Sequence, residues 1–282
     1  MNEIENYKHG TEFKKAGGID MSYSTLEYEV KANVAWIRLN RVEQGNALNL
    51  DMGNELMDVA WQCASDKQVR VIVVTGNGKS FSFGGDLKSF ASYGNGISKH
   101  LKDVTAIFHE AVSRFVHMEK PIIAAVNGTA AGAGMSLAML ADLVVACESA
   151  KFTMAYTNVG LTPDGSSSYF LPRIVGARRA LELTLTNRVL TAKEASEWGI
   201  VTRVVPDVAF YSEVERLANQ LVKGPVGAYG KAKQLIYGSF NETLESQMAQ
   251  ESQFISEQAE SAEGKEGISA FIEKREANYL SD

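Results

Sequence analysis

Between Pro121 and Ala141 the chain carries no charged side chain, and this stretch constrains the rest of the fold more than any other. A run of that length could in principle cross a bilayer. Its composition argues otherwise. Gly128, Gly132 and Gly134, with Asn127, Thr129 and Ser136, interrupt the apolar residues, and Asp142 follows directly. Those residues suit a buried strand over Ile122–Val126, then a glycine loop, then a buried helix that starts near Gly134. Two more short uncharged runs, Val71–Thr75 and Leu143–Ala146, read as strands covered on both faces, the habit of parallel sheets. Leu50, Met52, Leu56, Val59, Ala60 and Cys63 recur at helical spacing and predict a helix from Leu50 to Asp66, and Val104–Met118 predicts another. Strands that alternate with helices make this an α/β domain.

Alternating residues over Thr25–Val30 and Val34–Leu39, around the polar Lys31-Ala32-Asn33, predict a hairpin ahead of that domain. Residues 81–100 hold Gly84, Gly85, Gly94 and Gly96 and read as a loop with at most a helical turn. Beyond Val205 only helical patterns remain, over 210–223, 225–237, 242–260 and 266–276. The Ser/Glu/Gln-rich stretch around 246–263 reads as an exposed helix face. The expected organisation is a flexible polar extension over 1–21, an α/β core over 22–205 and a helical C-terminal region over 206–282. A length of 282 residues fits one large domain with an appendage.

Composition closes off several function classes. A net charge of −6 argues against non-specific nucleic-acid binding. At 45% hydrophobic and 22% charged the chain is an ordinary globular protein, with no membrane association expected. Cys63 and Cys147 both lie among apolar residues and read as buried thiols of a reducing compartment, so a cytoplasmic location is expected. No secretory leader pattern opens the chain. His9, His100, His109 and His117 are scattered and no HxxxH or CxxC spacing occurs, so no metal site is assigned.

Two glycine-rich segments could carry chemistry. Ser80-Phe-Ser-Phe-Gly-Gly-Asp86-Leu87 follows a buried strand and its turn, and Val126-Asn-Gly-Thr-Ala-Ala-Gly-Ala-Gly134 joins a strand to a helix. Free main-chain N–H groups at such places attract anions, and two loops could aim two N–H groups at one developing oxyanion. Neither segment is a dinucleotide fingerprint or a P-loop. On the residues alone, the glycines could equally serve tight turns and close helix packing.

The strings Leu39-Asn40-Arg41, Asn46-Ala47-Leu48, Phe81-Ser-Phe-Gly-Gly-Asp86-Leu87, Pro121-Ile-Ile-Ala-Ala-Val-Asn-Gly128, Ala131-Gly-Ala-Gly134, Asp142-Leu-Val-Val-Ala146, Ala150-Lys-Phe152 and Gly160-Leu-Thr-Pro-Asp164 have a collective order and spacing. In these the chain resembles the crotonase (enoyl-CoA hydratase/isomerase) family from about Leu26 to Arg275. The resemblance implies a spiral of ββα turns, a helical C-terminal region that trimerises, and a coenzyme A thioester as substrate, with no separate cofactor. It implies a homotrimer or a dimer of trimers. It places the thioester carbonyl between the N–H groups of Gly85 and Ala133, with Asp86 ordering the first loop.

Departures from the family narrow the chemistry. The positions where family hydratases carry two glutamates hold Ser136 and Tyr156, both expected in the substrate pocket, and neither can activate water as a carboxylate does near neutral pH. Asp164 stands where the family's isomerases carry one acid/base carboxylate. Its surroundings are similar to both Δ3,Δ2-enoyl-CoA isomerases and ring-epoxide-CoA isomerases. The resemblance also implies that the backbone near Phe83 lines the adenine pocket of coenzyme A and that the Asn40–Ala47 loop, Ala47 included, and Lys274 reach its phosphate or ribose; Lys233 is another basic candidate. The expected activity is a shift of a double bond from Δ3 to Δ2 through Asp164. Ring-epoxide isomerisation, aryl-CoA dehalogenation or thioester hydrolysis with Asp164 as nucleophile, weak hydration, and a non-catalytic coenzyme A-binding protein are the alternatives. Taken from its own neighbours alone, Asp164 reads rather as a cap on the helix after it.

Overall fold

The computed structural model describes residues 23–280, so the extension expected over 1–21 lies outside the described residues. The chain runs through β1 (Leu26–Lys31), β2 (Val34–Leu39), α1 (Leu50–Ser65), β3 (Val71–Gly76), β4 (Ser80–Ser82), α2 (Leu87–Ala91) and α3 (Ile97–His117). It continues with β5 (Ile122–Val126), β6 (Thr129–Ala131), α4 (Ala133–Met139), β7 (Leu143–Cys147) and β8 (Lys151–Thr153). Next come α5 (Ser167–Val175), α6 (Ala177–Thr186), β9 (Leu190–Thr191), α7 (Ala192–Glu197) and β10 (Arg203–Val205). Four helices close the chain: α8 (Phe210–Val222), α9 (Val226–Gly238), α10 (Leu244–Glu260) and α11 (Ala262–Glu273).

The larger sheet has the order β1-β2-β3-β5-β7-β10. Its first pair is the expected hairpin, antiparallel with Leu26 opposite Leu39 and Lys31 opposite Val34. Ala32 and Asn33 both take positive φ (49° and 64°), as a two-residue turn that matches the strand twist requires. The other pairs are parallel, with Val34 beside Val71, Ile72 beside Ile122, and Ile123 beside Leu143. β3 and β5 are buried along their whole length, which is why they read as unbroken apolar runs. Helix α1 buries Leu56, Val59 and Ala60, and helix α3, packed against α1, buries Val104, Phe108 and Phe115. Among the described residues no helix is long and apolar enough to cross a membrane.

The smaller sheet, β4-β6-β8-β9, positions the site. Its first three strands are parallel neighbours, with Ser80 beside Thr129 and Thr129 beside Lys151. The segments that leave their C-terminal ends therefore emerge side by side: Phe83–Asp86 after β4, Gly132–Ala133 after β6, and Met154–Tyr156 after β8. None of these strands exceeds three residues, too short to show an alternating pattern, and the sequence gives no sign of this second sheet. Helix α3 also starts at Ile97, seven residues before the predicted Val104. His100 anchors that added first turn by stacking on Tyr93 with ring centroids 3.6 Å apart.

Helix α9 is tied to the core by Lys233, whose Nζ lies 2.7 Å from Asp142 and donates to the Lys120 carbonyl at 3.1 Å. Burial works to raise the Asp142 pKa and Lys233 opposes it; burial prevails. No residue of α10 is buried.

Candidate active site

The two glycine loops meet. A side chain on Gly84 would run into the Ala131 carbonyl at 2.8 Å and the Ala133 nitrogen at 3.1 Å, so the Gly84–Gly85 backbone lies directly against the start of α4. Gly84 (φ +91°) and Gly132 (φ +52°) adopt conformations that a Cβ disfavours, and each directly precedes one expected donor. The first loop is fixed from the other side by Leu48, whose N–H donates to Gly84 O at 2.6 Å and whose carbonyl accepts from Asp86 N at 2.8 Å. These bonds leave the Gly85 N–H between them uncommitted. Ala133 opens α4, where an N–H has no partner one turn back. Among the described residues neither the Gly85 nor the Ala133 N–H donates to another group of the protein.

Both line a cavity of about 440 Å³, with Phe83, Phe90, Leu101, Val104, Tyr156 and Asp164 among its other walls. That is the volume and the apolar lining typical of a small-molecule site. Asp164 also lines a second cavity of about 680 Å³, between α3, the Pro163–Phe170 segment and α9.

The carboxylate of Asp164 does not cap a helix. Helix α5 begins after Ser166, which makes no side-chain cap bond, and the Asp164 side chain instead accepts a hydrogen bond from Tyr156 Oη at 2.5 Å. Ser136 stands behind Tyr156, fully buried, with its Oγ 2.9 Å from Tyr156 Oη and donating to the Asp164 carbonyl at 3.1 Å. The residues at the two family glutamate positions are thus in contact with each other and with Asp164. Tyr156 forms cavity wall, whereas Ser136 lies one layer back. Burial raises the pKa of Asp164 above the ordinary aspartate range, and the Tyr156 hydroxyl and His109 only partly oppose it. Burial and the neighbouring carboxylate drive the Tyr156 phenol far upward, so it stays a neutral donor.

His109 is the neighbour that the sequence did not mark. Its Nε2 accepts from Gly165 N–H at 3.0 Å, pinning the turn next to Asp164. It was one of four scattered histidines, and no local pattern ties it to a residue so far along the chain. Lys102 also lines the first cavity, within the 88–102 segment expected to supply pocket walls, though no pattern singled it out.

The residues expected at coenzyme A are spread out. Phe83 is exposed at the cavity rim, and its N–H donates to Gly45 O at 2.9 Å. Ala47 is buried and its carbonyl accepts from Arg41. Lys274 ends α11 in a left-handed conformation and lines neither of these two cavities. Lys233 is committed to Asp142.

The profile of the enoyl-CoA hydratase/isomerase family matches residues 29–282. The chain is 36% identical over 251 residues to the 1,2-epoxyphenylacetyl-CoA isomerase of Escherichia coli, covering 89% of this chain and 96% of that protein. It is 38% identical over 222 residues to 4-chlorobenzoyl coenzyme A dehalogenase-2 of an Arthrobacter species, covering 78% and 80%. Among solved structures, an enoyl-CoA hydratase from Bacillus anthracis superposes with a TM-score of 0.86 at 29% identity, covering 92% of this chain and all of the other.

Proposed function

The chain belongs to the enoyl-CoA hydratase/isomerase family, and from that premise we propose that it is an acyl-CoA isomerase that moves a double bond from Δ3 to Δ2 with Asp164 as its single acid/base. The observation that carries this reading is the position of Asp164. A half-buried carboxylate shares one cavity wall with two uncommitted main-chain N–H groups. The thioester carbonyl accepts from Gly85 and Ala133. Asp164 takes a proton from C2, the dienolate oxygen rests on the two N–H groups, and Asp164 returns the proton at C4. The proton that leaves is the one that returns, so the step needs no cofactor beyond the coenzyme A ester itself. Hydration would require a second carboxylate to direct water, and Ser136 and Tyr156 supply none.

The pH–rate profile tests the role of Asp164. It must be ionised to abstract a proton, so kcat/KM is expected to fall with decreasing pH through the raised Asp164 pKa, above the ordinary aspartate value of about 3.9. Tyr156 donates to the ionised form. Its loss in Tyr156→Phe should raise that pKa further and move the acid limb to higher pH. An acid limb that stays in place in a folded, active Tyr156→Phe variant would mean that another group sets it.

A second reading is favoured by His109. An imidazole beside a carboxylate suits nucleophilic attack by Asp164 followed by hydrolysis of an enzyme ester, and one similar protein is named as a dehalogenase. Single turnover of an aryl-CoA halide in ¹⁸O water separates the two readings, because only the nucleophilic route places label in the Asp164 carboxylate.

The same reading includes assembly as a trimer or a dimer of trimers. Ile236, Met248, Ile255, Ile268, Phe271 and Ile272 on α9–α11 are all exposed, Phe271 at 86%. So many large apolar side chains left exposed on three consecutive helices suit an interface with other copies of the chain. Sedimentation at micromolar concentration is expected to give a trimer or hexamer, and a monomer would contradict the proposal.

A further inference from the structure

Asp86 directly follows the oxyanion donor Gly85 and is only 8% exposed. A loop that must stabilise a developing anion therefore carries a buried carboxylate at its next residue. A like charge at that range opposes the oxyanion, and poor solvent screening makes the opposition stronger.

The structure also supplies the compensation. Arg41 Nη2 lies 2.7 Å from Asp86 Oδ2, with the two side chains only 16% and 11% exposed. Arg41 Nη1 donates to the carbonyl of Ala47, next to the Leu48 that brackets Gly85. The base of Arg41 is itself fixed. Its N–H donates to Asn46 Oδ1 at 3.0 Å, and the fully buried Asn46 donates through Nδ2 to Asn77 O and Ser80 O, both at 2.9 Å. Asp86 Oδ1 meanwhile accepts from Ser89 N at 3.0 Å and caps α2. Burial works against the Asp86 charge, but the Ser89 N–H and the Arg41 guanidinium outweigh it and hold the carboxyl below its ordinary range.

We propose that Arg41 is a positioning residue whose charge cancels that of Asp86, so that the Gly85 N–H meets the developing oxyanion without an opposing field. This rests on the oxyanion role assigned to Gly85 above. An ion pair that merely stapled the loop would suffer equally from loss of either partner. Charge cancellation is asymmetric. Removing Arg41 exposes the oxyanion to a bare carboxylate, whereas removing the charge of Asp86 leaves a cation that an anion tolerates.

The test is a double-mutant cycle, with kcat and KM measured on the acyl-CoA ester that the wild-type enzyme converts best and folding followed by thermal melts. Arg41→Gln is expected to lower kcat roughly tenfold or more with KM little changed. Asp86→Asn keeps an oxygen for the Ser89 N–H and should stay within about twofold of wild type. The Arg41→Gln/Asp86→Asn pair should recover most of the lost kcat, and Arg41→Lys, which keeps the charge, should lose little. Equal losses in both single variants without recovery in the double would overturn the proposal in favour of a staple. A rise in KM alone in Arg41→Gln would overturn it in favour of a coenzyme A contact. Gly85→Pro, run alongside, separates the two levels. Retained turnover there removes the oxyanion assignment and this proposal with it, whereas lost turnover without rescue in the double variant removes only the charge cancellation.

Discussion

Asp164→Asn is expected to fold, to bind acyl-CoA esters as the wild type does, and to lose isomerisation by roughly 10²–10⁴-fold, the range for a general acid–base group. The substitution is close to isosteric, and the asparagine oxygen can still accept from Tyr156 Oη, which donates to Asp164 at 2.5 Å. No helix cap is lost, because the carboxylate does not bond a helix N–H. What disappears is the ability to hold a proton between C2 and C4. Stability should move the other way. Burial raises the folded-state pKa of Asp164, so the folded protein holds that proton more tightly than the unfolded chain does. The contribution is fully present below the unfolded aspartate pKa and is lost as pH rises through the folded one. At neutral pH the wild type thus carries the cost of a partly buried charge, and Asp164→Asn should melt at a somewhat higher temperature. Wild-type turnover in a folded Asp164→Asn variant would require another base, and His109 would be the first to examine.

Gly85→Pro should lower kcat by roughly 10²–10³-fold, the scale for loss of one oxyanion donor. A main-chain N–H cannot be removed by truncating a side chain, and proline removes it directly. The site is not open to every residue, since a Cβ on Gly85 would lie 2.7 Å from the Phe90 ring. Gly85→Ala therefore serves as the control, because it introduces the same crowding and keeps the donor. The expected result is a far larger loss in the proline variant than in the alanine variant. Equal losses would mean that crowding against Phe90, rather than the missing N–H, accounts for the effect.

The parts of the fold that the sequence reveals are those with long, regular burial. β3, β5 and β7 are fully or mostly covered and appear as apolar runs, β1 and β2 show as an alternating hairpin, and α1 and α8–α11 keep helical periodicity. The second sheet stays hidden because two or three residues cannot display a period, although its strand ends bring Gly85, Ala133 and Tyr156 together. The glycine loops are legible as places of close approach, and the structure shows why: Gly84 faces the Ala133 nitrogen across a gap that no side chain fits. Asp164 could not be singled out from its own neighbours. Pro163 before it and Gly165-Ser166-Ser167 after it favour a cap, and only the family resemblance pointed to chemistry there. The choice between the two rests on where the side chain points, toward Tyr156 and the cavity. Contacts such as His109 with Gly165 and Arg41 with Asp86 join residues far apart in the chain, and no local pattern encodes them.

The claim that one carboxylate shifts a double bond is tested most directly with a panel of short, medium, long and aromatic 3-enoyl-CoA esters, incubated with the wild-type enzyme and followed for the 2-enoyl product. The expected result is that at least one ester is converted to its 2-enoyl isomer with little or no 3-hydroxyacyl product. Absence of 2-enoyl product from every ester, with a folded enzyme that still binds them, would contradict it, as would hydration at rates typical of a dedicated hydratase.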